Sequence, residues 1–265
     1  MNAKGKNIVV TGGGNGMGRE LVLQLLGKGA TVFAADINLE ALNETVKIAG
    51  NSNRLFTYVV DISDQEAVND FAQKVMGEHK KVDGIINNAG IIQPFIHLNE
   101  LGMDRIDRVM NINFYGTLYT IKAFLPQLLK RPEAHIVNVS SMGGFLPVPG
   151  QSIYGASKAA VKLLSEGLSS ELMDTKVKVS VIIPGGIATD IKKNSNISYK
   201  VSADSSKAKL VLTPQKAAEL IIKAMEKNRL RTYIGKDCKV MNILYKLSPF
   251  VAMRMINKVM NSSEH

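Results

Sequence analysis

The serine pair Ser140-Ser141 and the residues Tyr154 and Lys158 are of types that could bind an oxygen atom and move its proton. The serines directly follow the β-branched run 136–139, which is typical of a buried parallel strand. Tyr154 and Lys158 are four residues apart in a segment of helical periodicity, so they share one helix face. The same residues also occur on solvated turns and helices. Their meaning therefore depends on the elements around them.

Apolar periodicity predicts the elements that position these residues. The helix after the serines is predicted from Tyr154 to Leu172, with Ser152 as its N-cap. Predicted strands cover about 7–11, 31–35, 55–60, 82–86, 136–139, 177–183 and 232–235, and predicted helices cover about 17–26, 63–77, 103–130, 154–172 and 213–227. This alternation predicts an α/β fold with one doubly wound parallel sheet and a ligand at the carboxyl ends of the strands.

Composition excludes several classes of protein. The chain has 265 residues and one cysteine, Cys238, so it has no internal disulfide and no multi-cysteine metal site. The four histidines share no ligand-like spacing, and we expect no bound metal. Strand-like residues begin at Asn7, and no apolar run approaches the ~20 residues of a spanning helix. We therefore expect a cytoplasmic protein.

The net charge of +10 is confined to the last part of the chain. Residues 1–191 hold 18 basic and 18 acidic side chains, whereas residues 192–265 hold 15 basic and 5 acidic ones. This excess indicates either a solvated basic face or the attraction of an anionic substrate or an acidic surface. No nucleic-acid motif accompanies it, and we expect no nucleic-acid partner.

The segment Gly12 to Gly18 joins the first predicted strand to the first predicted helix and has glycine at five of its seven positions. Backbone without side chains can approach a pyrophosphate, whose charge meets free N–H groups at the helix N-terminus. The pattern is T-G-x-x-x-G-x-G rather than G-x-G-x-x-G. It predicts a dinucleotide cradle, although a flexible turn would have a similar composition.

Asp36 ends the second strand, 18 residues after Gly18. A carboxylate there can accept hydrogen bonds from both adenosine ribose hydroxyls and would repel a 2′-phosphate. No Arg or Lys occupies positions 13, 14, 37 or 38. We therefore predict NAD rather than NADP as the cofactor, while Asp36 could also cap the helix that follows.

Polar residues also end the third and fourth strands. Asp61 is placed to reach an adenine edge, and the run 87–90 (Asn-Asn-Ala-Gly) brings a glycine to where a ribose could approach. Asn113 lies in the middle of a predicted helix among apolar residues. A polar side chain in such a position has either a functional role or a backbone hydrogen-bond partner.

With these motifs in order, the chain resembles the short-chain dehydrogenase/reductase family from about Asn7 to Gly235. The resemblance implies a Rossmann-type, seven-stranded parallel sheet in a single domain, a nicotinamide cofactor, and hydride transfer to or from a carbonyl carbon. We expect the catalytic domain at 1–238 and a C-terminal helical extension of it at 239–265. The matching motifs are Thr11-Gly12-x-x-x-Gly16-x-Gly18, Asp61, Asn87-Asn88-Ala89-Gly90, Asn113, Ser141 with Tyr154-x-x-x-Lys158, and Pro184-Gly185 with Thr189.

The resemblance implies a role for each catalytic residue. Ser141 rather than Ser140 is the catalytic serine, because the family's serine lies 13 residues before its tyrosine. Ser141 would hydrogen-bond the substrate oxygen, and Tyr154 would be the acid/base, its pKa lowered from about 10 by Lys158 and the positive nicotinamide. Lys158 would also hold the nicotinamide ribose, and Asn113 would position a water that relays protons to Lys158.

The resemblance also implies which residues bind the cofactor. Thr189 and the backbone around Ile187 would hold the carboxamide of the nicotinamide. The full set is Gly12, Asn15, Gly16, Met17, Gly18, Asp36, Ile37, Asp61, Ile62, Asn88, Ala89, Gly90, Tyr154, Lys158, Pro184, Gly185, Ile187 and Thr189.

The expected reaction is the NAD-dependent interconversion of a secondary alcohol and a ketone. The apolar loop 143–150 favours a partly hydrophobic substrate, such as a hydroxysteroid, another bulky alcohol or an acyl chain with an anionic head. The lysine-rich segment 189–209 is expected to be a mobile lid. One alternative is an NADPH-dependent 3-oxoacyl-thioester or other carbonyl reductase, which Asp36 disfavours. A second is a non-catalytic nicotinamide-binding regulator, which the full set of catalytic side chains disfavours.

The tail from Lys239 to Met260 carries two apolar stripes separated by Ser248-Pro249. Packing on its own domain, or on another subunit of a homodimer or homotetramer, is the simplest interpretation. A flap over the substrate is the second. The third is weak association with a membrane surface, with Lys246, Arg254 and Lys258 at the headgroups.

Overall fold

The computed structural model describes residues 1–188 and 211–261. Seven parallel strands form one sheet in the order β3-β2-β1-β4-β5-β6-β7, which confirms the predicted Rossmann-type sheet. The strands are β1 (Asn7–Thr11), β2 (Thr31–Asp36), β3 (Leu55–Val59), β4 (Gly84–Asn87), β5 (Ala134–Val139), β6 (Val177–Pro184) and β7 (Arg231–Ile234).

Helices connect successive strands and cover both faces of the sheet. They are α1 (Gly16–Gly27), α2 (Leu39–Ile48), α3 (Gln65–His79), α4 (Met103–Met110), α5 (Gly116–Leu128), α6 (Ser152–Glu171), α7 (Pro214–Glu226), α8 (Lys236–Leu247) and α9 (Pro249–Asn261). Two short 3₁₀ turns, Leu98–Glu100 and Met142–Gly144, lie in loops.

A hydrophobic core lies on each face of the sheet, which is why the central strands read as continuous apolar runs. Val10 and Leu25 belong to one core, and Val9, Phe33 and Phe124 belong to the other; all five are fully buried. With helices packed on both faces, side chains that do chemistry are left to the carboxyl ends of the strands.

The predicted helix 103–130 is one continuous helical stretch with an irregular middle. A π-helical turn, Asn111–Tyr115, separates α4 from α5. Such turns insert an extra residue into the helical ladder and are frequent at functional sites. The sequence pattern gave no sign of this turn, because apolar periodicity persists through it.

The start of α6 differs from the prediction. The helix begins at Ser152, and Gln151 rather than Ser152 is its N-cap, so the predicted cap was wrong. The physical reason is that the side-chain oxygen of Gln93 accepts the backbone N–H groups of Ile153 and Tyr154 at 2.9 Å each. The cap of α7 is Thr213, whose side chain accepts from the backbone N–H of Lys216.

The C-terminal extension is helical, and its first helix begins at Lys236, ahead of the expected boundary at 239. Within the described ranges, no helix is both long enough and apolar enough to cross a membrane. Thr189 and the expected lid at 189–209 lie outside the described residues.

Candidate active site

The two serines after β5 face different partners. Ser140 is buried, and its hydroxyl donates to the backbone oxygen of Lys158 at 2.7 Å, which ties β5 to α6. Ser141 begins the 3₁₀ turn, where its Oγ accepts from the backbone N–H of Gly143 at 3.1 Å. Tyr154 lies close to it, since a Cβ added at Gly143 would be 3.6 Å from Ser141 Oγ and 3.4 Å from the Tyr154 ring. Ser141 is therefore the serine that meets the tyrosine.

Burial raises the pKa of Tyr154 above its ordinary value of 10 in the protein alone, and Ser141 opposes this only in part. The predicted lowering includes the charge of a bound nicotinamide and stays a prediction. The Lys158 ammonium donates to the backbone oxygen of Val139 at 3.1 Å. In the protein alone, Tyr154 is held as a neutral phenol.

Burial acts on Lys158 as well. The side chain is only 4% exposed, and desolvation lowers its pKa from 10.5 to about 8. The pair thus combines a phenol that resists deprotonation with an ammonium that releases its proton easily. This is the kind of perturbation expected where protons are transferred.

Asn113 lies fully buried in the π-helical turn and reaches the same place. Its amide oxygen accepts from the N–H of Ile91 at 2.8 Å, and its amide nitrogen donates to the oxygen of Ile91 at 2.9 Å and to Ser157 at 3.0 Å. The amide is therefore bonded to protein, as the backbone-partner interpretation expects. A water-positioning role for Asn113 stays a prediction.

Gly90 is the point where these groups converge. A Cβ added there would lie 3.0 Å from Asn113 Oδ1 and 3.1 Å from Lys158 Nζ. Only a residue without a side chain leaves this space open for a ribose or substrate. Asn113 and Lys158 therefore meet at Gly90, the end of the run 87–90.

The glycine segment after β1 is shaped as a cradle. Gly12 and Gly16 have φ angles of +70° and +50°, which favour glycine. A Cβ on Gly18 would overlap the backbone oxygen of Gly12. Thr11 Oγ1 accepts from the N–H groups of Asn88 and Ala89 at 3.1 Å, which joins this cradle to the end of β4. The residues present thus fit a dinucleotide pyrophosphate at the N-terminus of α1.

Asp36 is fixed next to the cradle. Its Oδ2 accepts from the N–H of Gly14 at 2.9 Å, and its Oδ1 accepts from the N–H of Asn38 at 3.0 Å. Arg19 lies next to the same turn. Its guanidinium donates to the backbone oxygen of Gly14 and pairs with Glu44 at 2.6 Å. Glu44 therefore neutralises the charge of Arg19. The side chain that caps α2 is that of Asn38 and not that of Asp36.

The remaining predicted cofactor residues lie at the same edge of the sheet. Asp61 is exposed after β3 and accepts from Ser63, while Ile62 is buried against Gly116. Every strand that was assigned cofactor residues presents them at its carboxyl end. They are Gly12, Asn15, Gly16, Met17 and Gly18 after β1, Asp36 and Ile37 at the end of β2, Asp61 and Ile62 after β3, Asn88, Ala89 and Gly90 after β4, and Pro184, Gly185 and Ile187 at or after the end of β6.

The loop after β6 is held by a residue that the sequence reasoning missed. Asp237, in the first turn of α8, accepts from the N–H of Gly186 at 2.8 Å. Ile187 forms a β-bridge with Leu212, and Ala188 donates to Leu212 at 2.9 Å. Only the chain's tertiary structure brings Asp237 to this loop, so no local pattern could have identified it.

Gln93 is the second missed residue. It is 1% exposed, its Oε1 caps α6 as described, and its Nε2 donates to the oxygen of Gly150 at 2.8 Å. The side-chain amide of Gln151 donates in turn to the backbone oxygen of Gln93 at 2.9 Å. Gln93 therefore fixes the backbone that carries Tyr154. Its only sequence signal is that a glutamine follows the run 87–90 closely.

Comparison with known proteins agrees with this geometry. The family model described as short chain dehydrogenase matches residues 6–200. SadH of Mycobacterium tuberculosis, a protein named as an oxidoreductase, is 32% identical over 266 residues, covering 96% of this chain and 94% of SadH. The 3-oxoacyl-[acyl-carrier-protein] reductase FabG of Thermotoga maritima is 33% identical over 190 residues, covering 71% of this chain and 77% of FabG.

Solved structures share the fold. A short-chain dehydrogenase/reductase from Burkholderia phymatum in complex with NAD has a TM-score of 0.80 and 26% identity, covering 88% of this chain and 90% of that one. A short-chain dehydrogenase from Burkholderia cenocepacia in complex with NADP also has a TM-score of 0.80 and 26% identity, covering 97% and 99%. The chain belongs to the short-chain dehydrogenase/reductase family and is an oxidoreductase that acts on CH–OH or carbonyl groups with NAD or NADP.

Proposed function

We propose that the protein interconverts a secondary alcohol and a ketone with NAD as the redox partner. The observation that carries this proposal is the convergence of Ser141 and Tyr154 on Gly143, one helical turn from the buried Lys158. A substrate oxygen bound between the two hydroxyls would be held by both. The bound nicotinamide supplies or accepts the hydride.

Each side chain has a defined task in this proposal. In reduction, Tyr154 gives its proton to the carbonyl oxygen while Ser141 donates a hydrogen bond to the developing negative charge. In oxidation, Tyr154 takes the proton from the alcohol. The raised pKa of Tyr154 suits the first direction at neutral pH. The second requires the positive charge of the oxidised nicotinamide nearby, which would favour the phenolate.

The choice of NAD rests on Asp36. Its carboxylate is held in place by two backbone N–H groups beside the cradle, where it would accept ribose hydroxyls and repel a 2′-phosphate. Arg19, the cation beside Gly14, is already paired with Glu44. The related structures contain either NAD or NADP, so this choice is a proposal for the present chain.

Cofactor titration tests that choice. We expect NADH to bind more tightly than NADPH. Asp36→Ala should weaken NADH binding about tenfold and reduce the ratio of NADH to NADPH affinity, because one bidentate acceptor of the ribose hydroxyls is lost. Asp174→Ala, at an exposed position after α6, is the control and should leave both affinities unchanged. Tighter NADPH than NADH binding in the parent protein would contradict the proposal.

A second candidate is a carbonyl reductase such as a 3-oxoacyl-thioester reductase. Two observations favour it: the neutral Tyr154 phenol is ready to donate a proton, and FabG of Thermotoga maritima is a relative of that name. The loop 143–150 gives partial support to a hydrophobic substrate. Leu146 is buried in the protein itself, but Phe145 is half-buried beside Tyr233 and Tyr245.

The reaction is tested by screening secondary alcohols with NAD⁺ and ketones or 3-oxoacyl thioesters with NADH and NADPH, following reduced nicotinamide absorbance. On the best substrate, Tyr154→Phe should lower kcat by roughly 10²–10⁴-fold, the contribution typical of a positioned acid/base. Lys158→Ala should also lower it. Tyr115→Phe, at a side chain 40% exposed, should not. Near-full turnover of Tyr154→Phe would reject the assignment, and absence of any turnover would favour a nicotinamide-binding regulator.

Proteins of this family act on small molecules and form oligomers. For this chain we propose a homodimer or homotetramer located in the cytoplasm. Light scattering of the purified protein measures the oligomeric state, and fractionation of the native host measures the location.

A further inference from the structure

The helix α8 turns an apolar face away from the protein. Its inner face is marked by Cys238, which is fully buried, and by the half-buried Tyr245. With about 100° between successive residues, Val240, Ile243 and Leu247 lie on the opposite face. Their exposures are 60%, 59% and 80%. A soluble amphipathic helix normally has the reverse arrangement.

The helix α9 also leaves apolar side chains exposed. Ala252 is fully buried, whereas Phe250, Val251, Met255 and Val259 are between 45% and 60% exposed. Leu247 and Phe250 flank the Ser248-Pro249 turn and form the apolar tip of the pair. We call α8 and α9 together, residues 236–261, the C-terminal hairpin.

Positive charge accompanies this apolar surface. Residues 238–261 contain no Asp or Glu, and their four cations are Lys239, Lys246, Arg254 and Lys258. On α8, Lys239 and Lys246 both lie beside Ile243, because residues three and four apart are neighbours on a helix. The Arg254 guanidinium stacks 4.4 Å from the centre of the Phe250 ring.

The charge continues past the hairpin into a groove between α7 and β7. The groove has a volume of about 450 Å³, and Lys239 is one of its walls. The other charged side chains that line it are all basic: Lys223, Lys227, Arg229 and Arg231. Arg231 pairs with Glu166, and among the described residues no carboxylate lines the groove itself. We call it the basic groove.

A second copy of this chain fits this surface poorly. In a two-fold contact the same patch occurs on both sides, so two surfaces of net positive charge would meet, and residues 238–261 supply no carboxylate to separate them. An anionic bilayer matches both features at once. Its acyl region receives exposed apolar side chains, and its headgroups attract the adjacent cations.

We propose that the C-terminal hairpin, together with the basic groove, binds the surface of an anionic phospholipid bilayer. The tip residues Leu247 and Phe250 enter the headgroup region, and the cations of hairpin and groove rest on it. The hairpin is attached near the active site, because Asp237 at its start accepts a hydrogen bond from Gly186 at the carboxyl edge of the sheet. A partly apolar substrate would then be collected from the bilayer.

Co-sedimentation of the full-length protein with vesicles tests this proposal. Vesicles of equal parts phosphatidylglycerol and phosphatidylcholine should bind the protein, vesicles of phosphatidylcholine alone should bind much less, and added salt should weaken binding. The double substitution Leu247→Glu with Phe250→Glu should lower the partition coefficient at least about tenfold. Its matched control is Ile48→Glu with Met173→Glu, at side chains 52% and 69% exposed elsewhere, which should bind like the parent.

The basic groove is tested separately. Lys227→Glu with Lys239→Glu should abolish the preference for phosphatidylglycerol, whereas Lys130→Glu, beyond the end of α5, should keep it. NADH binding reports folding in every variant, so a failure here leaves the proposed reaction untouched. Equal sedimentation with both vesicle types overturns the proposal. A second result would also overturn it: the parent protein is an oligomer that does not bind vesicles, and Leu247→Glu with Phe250→Glu dissociates this oligomer. The surface would then be covered by a second copy of the chain.

Discussion

Burial favours the neutral form of both Tyr154 and Lys158. At neutral pH only Lys158 destabilises the fold, because an unfolded tyrosine is also neutral there. The sequence predicts their spacing and the choice of Ser141 over Ser140. It does not predict the direction of the Tyr154 pKa in the protein alone, because desolvation depends on side chains distant in sequence. For the same reason it cannot decide between the two roles considered for Asn113, whose partners come from Ile91 and Ser157.

Stability at this pair should depend on pH in a defined sense. The folded pKa of Lys158, about 8, lies below its ordinary 10.5, so between these values the unfolded chain binds a proton that the folded chain has released. The free energy of unfolding should therefore gain a rising contribution from pH 8 towards 10, above which Tyr154 begins to oppose it.

Lys158→Met removes this penalty. At pH 7 we expect a gain of up to about 3 kcal/mol in the free energy of unfolding, together with loss of the rise above pH 8. Urea unfolding at several pH values measures both. Lys122→Met on the exposed side of α5 is the control and should show neither effect. A destabilised Lys158→Met protein would show that the bond to Val139 outweighs desolvation.

At the scale of elements, α6 is the part of the fold that places the catalytic tyrosine. Its existence and its inner face are predictable, because Val161, Leu168 and their neighbours recur at helical spacing. Its cap is not predictable, because Gln93 reaches the helix from another loop. The strands were found with small boundary errors, since a strand buried on both faces is a continuous apolar run.

Gln93→Leu should expose what that cap does. Two partly buried N–H groups would lose their acceptor, and we expect a loss of about 1–3 kcal/mol in the free energy of unfolding. Tyr154 would move with its backbone, so kcat should fall while the KM for NADH changes little. Thermal unfolding and steady-state kinetics measure these effects, with exposed Gln73→Ala as the comparison. An unchanged kcat in a destabilised Gln93→Leu protein would restrict the residue to a purely structural role.

For the whole molecule, one parallel sheet with a core on each face explains why sequence motifs scattered from Gly12 to Ile187 meet at one edge. The alternation of strands and helices is enough to predict this meeting, because all strands point the same way. The surface is less predictable. Composition locates the basic excess in the last part of the chain, but only the fold places Lys223, Lys227 and Arg229 in one groove beside an outward apolar face.

The burial of Cys238 beneath α8 has a consequence for how this molecule can be observed. It is the only cysteine of the chain, its thiol donates to the oxygen of Ile183 at 3.2 Å, and burial raises its pKa to about 12. A thiol reagent should therefore react far more slowly than with a free cysteine, and only when α8 lifts from β6. Ellman's reagent would measure the rate, with Cys238→Ser as the blank, and reaction at the speed of free cysteine would show α8 to be undocked. The reaction rate of Cys238 thus reports how often the hairpin detaches, and it can be measured with and without vesicles on the unlabelled protein.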